Sequence, residues 1–151
     1  MRQLNTEPLF DLQLEVGPPW DLRKPDGTGR YIFHVTGGSF TGARLRGRVL
    51  PASGDWVRVE AGYARVDVRL LLECDDGALI YMTYQGVHTL GDKHRAQLAE
   101  GQPLDPDSYY FRTAPMFETA APAYEWLNAV VAIGLGKRTA AHVEYEVLEL
   151  L

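Results

Sequence analysis

The stretch YYFRTAPMFETAAPAYEWLN, residues 109–128, sets aromatic rings beside Arg112, Glu118 and Asn128 and contains no lysine. A guanidinium, a carboxylate and an amide among rings are the parts of a small-molecule site. The first grips an anionic oxygen in a fork, the second moves a proton once burial lifts its pKa, and the third orients a polar group. Glu118 is the candidate general acid or base, with Tyr110, Phe117 and Trp126 as its apolar surroundings, and Asp67 is the reserve carboxylate. In YARVDVRLLLE (63–73), alternation puts Asp67 and Arg69 on one strand face and Val66, Val68 and Leu70 on the other. The charged face either meets water or orients a ligand inside a barrel. The same parity pairs Tyr110 with Arg112, and in YEWLNAVV it predicts that Trp126 points inward and brings Asn128 with it. A buried amide left unpartnered costs roughly 1–3 kcal/mol, so Asn128 must meet protein, water or ligand.

Period-two alternation runs through almost the whole chain, whereas helical spacing of apolar residues is rare, so the expected class is all-β. FDLQLEV (10–16) and GRYIFHVTGG (29–38) read as strands, the second closing on a Gly37-Gly38 turn. ARLRGRVL (43–50) is a strand after which PASG turns the chain back. Asp76-Gly77 makes the hairpin of residues 63–86 the clearest local prediction. Residues 87–108 break the alternation, hold at most one short helix around Lys93 to Glu100, and form the long loop in which lids and binding segments are common. The expectation is one domain, residues 1–151, built as a single antiparallel β-barrel of about nine or ten strands, since closure removes exposed edges.

Composition narrows the function. A net charge of -5 and no basic run argue against nucleic acid. One cysteine permits no internal disulfide, and no apolar run is long enough for a membrane span or signal peptide, so a soluble cytoplasmic protein is expected. Several motifs fail when counted. GLGK (134–137) lacks the first glycine of a phosphate loop and has Arg138 where Ser or Thr should bind magnesium, which leaves a strand-end turn. TGGSFTG misplaces one glycine of a nucleophile elbow around Ser39. The four histidines lie in separate segments, so no metal is expected, with His88 and His94 the pair closest to qualifying. Cys74 precedes Asp75 and Asp76, whose charge disfavours a thiolate.

GRYIFHVTGGSFTG, RGRVLPASGDW, VDVRLLLECDDGALIYMTYQG, LDPDSYYFRTAPMFET and YEWLN, in this order from about Gly29 to Gly136, together resemble the DUF3237 or UPF0311 family. Ala43, Ala52-Ser53 and Ala61-Gly62 depart from its usual turn residues. The resemblance implies an antiparallel β-barrel that forms homo-oligomers, and it supplies no reaction. The positions it carries over are Asp55, Trp56, Asp67, Arg69, Tyr81, Arg112, Glu118, Trp126 and Asn128, expected in good part around the barrel mouth. Together with Tyr110, the ligand-binding candidates are thus Trp56, Arg69, Tyr81, Arg112, Trp126 and Asn128, and the catalytic ones Glu118 and Asp67. The expected activity is cofactor-free acid/base chemistry, as a lyase, isomerase or cyclase, on a small aromatic or polyketide-like acid or enol. A ligand-binding barrel without catalysis and a structural homo-oligomer are the competing classes.

Overall fold

Alternating side chains make each strand two-faced, and a sheet with one apolar face must bury it against something. Here the sheet buries it against itself. The computed structural model describes residues 1–151. Its strands are β1 (Thr6–Val16), β2 (Trp20–Asp21), β3 (Gly29–Thr41), β4 (Arg46–Glu60), β5 (Tyr63–Cys74), β6 (Leu79–His88), β7 (Phe111–Glu118), β8 (Ala132–Arg138) and β9 (Val143–Leu150). All nine belong to one antiparallel sheet in the order β1-β9-β8-β7-β6-β5-β4-β3-β2. Because β1 also pairs with β3, eight strands close into a barrel and β2 is a short addition outside the ring. The single α-helix, α1 (Asp92–Ala99), lies in the β6–β7 connection. No helix is long and apolar enough to cross a membrane.

The two ends of the barrel differ. At one end Phe10 meets Phe40 and Phe117 with ring centroids 5.6 and 5.9 Å apart. A 3-10 helix, Pro122–Ala129, closes that end, and its Leu127 is fully buried in the core. The other end gathers the last residues of β1, β4, β6 and β8 and the first of β3, β5, β7 and β9, and it holds a cavity.

Four local predictions are corrected. Gly37-Gly38 does not end a strand: β3 runs on to Thr41, with register slips against β1 and β4 around these glycines. Gly38 takes φ 142°, and a Cβ there would strike the Gln13 carbonyl, so only glycine fits this close approach. PASG does not reverse the chain either. It is an irregularity within β4, where the register slips between Leu50 and Gly54. Val35 pairs with Ser53, so the two interruptions face each other across one ladder. Bulges bend strands and raise twist, which is what closing a small barrel requires. Third, YEWLN is in the 3-10 helix rather than a strand, with Pro122 opening that helix at a position needing no N–H. GLGK, read above as a strand-end turn, lies within β8.

Candidate active site at the barrel mouth

In DWVRVE (55–60), Asp55 shares the inward parity of Val57 and Val59. The fold thereby puts one carboxylate on an otherwise valine-bearing wall. The cavity it faces has a volume of about 310 Å³, at the lower end of the ~300–1,000 Å³ typical of ligand pockets. Tyr31, Phe33 and Phe111 supply much of its lining, and Leu98 and Arg95 reach it from α1. Rings also pack behind the wall: Tyr84 against Tyr145 at 5.1 Å and Phe111 against Tyr145 at 5.3 Å.

Asp55 Oδ1 accepts the Asp67 backbone N–H at 3.2 Å. Burial nevertheless dominates and, with the Asp67 charge nearby, pushes the Asp55 carboxyl from its ordinary 3.8 up to about 7. No cation sits close enough to hold it ionised. His88, at the end of β6, is driven the other way, to about 4, first by burial and then by the positive charges of Arg95 and Arg138, so it stays neutral. Burial and the Asp55 charge keep Tyr145 protonated, a hydrogen-bond donor at all ordinary pH. Burial likewise raises Tyr84, whose ring packs against Tyr145, and the hydroxyl of the buried Thr113 has no hydrogen-bond partner. Arg138 lies half-buried at the rim, where desolvation lowers its pKa. The mouth therefore holds a carboxyl poised between its two forms, a neutral imidazole, phenol donors and a guanidinium. No three His, Cys, Asp or Glu side chains come together as metal ligands.

The catalytic and ligand-binding candidates chosen from sequence lie elsewhere: none of Glu118, Asp67, Trp56, Arg69, Tyr81, Tyr110, Arg112, Trp126 and Asn128 lines this cavity. Glu118, Arg112, Arg69, Tyr81 and Tyr110 are exposed on the outer face. The alternation holds in both strands, but the inward parity of β5 and β7 belongs to Val66, Val68, Phe111 and Phe117. Arg112 stacks 5.3 Å from the Tyr110 ring and Arg69 5.3 Å from the ring of Trp56, so these pairs dress the outside of the barrel. Arg112 also lines a separate polar groove with Asp11, Lys137 and Glu144. Asp67 is half-buried on the outer parity and acts on the site through its backbone N–H and its charge. Trp126 lies under the Arg44 guanidinium at 3.9 Å. Asn128, predicted to be buried, is exposed, and its amide satisfies both backbone groups of Thr119, accepting at 2.8 Å and donating at 3.0 Å. Glu118, Asp67, Arg69 and Arg112 thus do not converge inside the barrel. Of the positions carried by the family resemblance, only Asp55 lines the cavity. The signal available without it was a lone acid in the inward register of DWVRV.

A family profile described as "Protein of unknown function (DUF3237)" matches residues 4–150. A UPF0311 protein of Rhodopseudomonas palustris is 34% identical over 150 residues, covering 98% of this chain and 97% of its own. The crystal structure of a β-barrel-like protein from Acinetobacter baumannii superposes with a TM-score of 0.83 at 39% identity, covering 100% of this chain and 98% of that one. A hydroalkoxylation enzyme, phnH, of Penicillium herquei is 26% identical over 130 residues, 86% of this chain and 72% of that enzyme. With the profile spanning nearly all of the barrel, the chain belongs to the DUF3237 family.

Proposed function

We propose that the barrel mouth binds a small, largely apolar, aromatic or polyketide-like molecule, and that Asp55 acts on it as general acid and base. One observation carries the reading: a carboxyl with a pKa of about 7 on the wall of an aromatic cavity. At neutral pH both its forms are populated, so it can give a proton and take one back, the condition under which acid/base catalysis is most effective. The reaction class that fits is addition of an O–H across a double bond, or the reverse elimination. Asp55–COOH protonates one carbon, the substrate oxygen bonds the other, and the proton that oxygen sheds returns to the Asp55 carboxylate. Nothing is oxidised or reduced. Tyr145, protonated throughout, donates a hydrogen bond to an oxygen of the substrate. The name of the Penicillium herquei relative, a hydroalkoxylation enzyme, supports this class at the level of chemistry.

The test is a panel of phenols and alcohols bearing a side-chain double bond, incubated with the full chain and read for the cyclic ether by chromatography and mass spectrometry. Asp55→Asn is expected to slow turnover by roughly 10²–10⁴-fold. Unchanged turnover in that variant would contradict the assignment. The rate should also break near pH 7, the value to which burial lifts the Asp55 carboxyl.

A further inference from the structure

Every arginine from Arg23 to Arg112 has a carboxylate, a backbone carbonyl or an aromatic ring against its guanidinium. Arg138 has none. It ends β8, its backbone N–H is fixed by Tyr109 Oη at 3.0 Å, and its side chain lines the same cavity as Asp55. A half-buried guanidinium without a partner loses solvation and gains nothing in return, an arrangement that a protein keeps where a ligand supplies the missing anion. Arg95 faces the cavity from α1, and its partner Asp92 has a fully exposed side chain, so that pair is easily exchanged.

We infer that Arg138 anchors an anionic oxygen, a carboxylate, enolate or phenolate, on an otherwise apolar ligand, and that Arg95 closes over the same oxygen from α1. The inference rests on the reading of the mouth as the ligand site and adds the ligand's charge and its orientation. Asp55 lies deeper along the barrel and has no cation beside it, so a second negative charge is unwelcome there. Arg138 takes it at the rim. The ligand body then runs along Phe33 and Phe111, and its uncharged, reacting end faces Asp55. In a cavity of about 310 Å³ this describes a molecule of about two fused rings carrying one negative charge.

Calorimetry with naphthalene-2-carboxylate and its neutral isostere naphthalene-2-carboxamide, on the full chain at about pH 6.5 where the former is ionised, reads the anchor directly. The carboxylate is expected to bind roughly tenfold or more tightly than the amide. Arg138→Gln should remove that preference while leaving the amide within about twofold, Arg138→Lys should keep part of it, and Arg95→Gln should reduce it less. Equal affinities in the unmodified protein, or an Arg138→Gln variant that weakens both compounds alike, would overturn the inference. Asp55→Asn separates the two claims, because it should retain the carboxylate preference while losing turnover. A failed anchor leaves the Asp55 effect standing, and a failed Asp55 leaves the preference standing.

Discussion

Asp55 and His88 carry opposite costs. The folded state holds the Asp55 proton up to about pH 7, whereas an unfolded carboxyl releases it near 3.8. Stability from this group is therefore fully present below 3.8 and is lost as pH rises to about 7, a difference of at most about 4 kcal/mol. His88, lowered from 6.5 to about 4, works in reverse: its contribution is present above 6.5 and is lost as pH falls through 4. Between pH 4 and 6.5 the two slopes oppose each other. Asp55→Asn keeps the oxygen that accepts the Asp67 N–H and removes the buried charge. It should raise the melting temperature most above pH 7, with the gain shrinking toward pH 4, as followed by calorimetric scans across that range. His88→Gln should make the protein more resistant to acid and leave it unchanged near pH 8. An Asp55→Asn variant less stable than the parent at pH 8 would mean that the carboxylate is not buried at a cost. Such an expense at an apolar wall is the mark of a group kept for chemistry rather than for folding.

At the scale of elements, glycines on both neighbours let β7 come close. A Cβ on Gly86 of β6 would strike Thr113, and one on Gly136 of β8 would strike the ring of Phe111. Gly136→Ala should cost ~1–3 kcal/mol through overpacking, measurable by urea denaturation, and should push Phe111 into the cavity, weakening ligand binding. These elements also show what could be read from sequence. The alternation of β1, β5, β7 and β9, the Asp76-Gly77 hairpin and the helix near Lys93 to Glu100 were all legible, because each is a local pattern. Gly37-Gly38 and Pro51 to Gly54 misled because glycine and proline mark turns and bulges alike, and only the closing partner strand decides between them. The direction of Arg112 and Asp67 was undecidable for a related reason: alternation gives two faces but not which one is inside, and Tyr110, exposed beside Arg112 just ahead of β7, imitates a pocket lining. Arg138, His88 and Tyr145 lie on β8, β6 and β9 and meet only once the barrel closes.

Across the whole molecule, the barrel divides into a packed end and an open one. Phe10, Phe40, Phe117 and Leu127 fill the first, which fixes the strands, while the second leaves space between β4, β7 and β9 under α1. Stability and chemistry are thus separated along one axis: substitutions such as Leu127→Ala should lower stability by ~2–5 kcal/mol with little effect on what the remaining folded protein binds, read by comparing denaturation midpoints with ligand affinity at low temperature. The proposed chemistry depends on the state of one carboxyl group at the open end. Its most direct test is a carbon-13 NMR titration of the aspartate side-chain carboxyls, with the Asp55 resonance assigned by its disappearance in Asp55→Asn. A midpoint near pH 7 is expected for that resonance; a midpoint near the ordinary 3.8 would remove Asp55 as the acid and base of the barrel mouth.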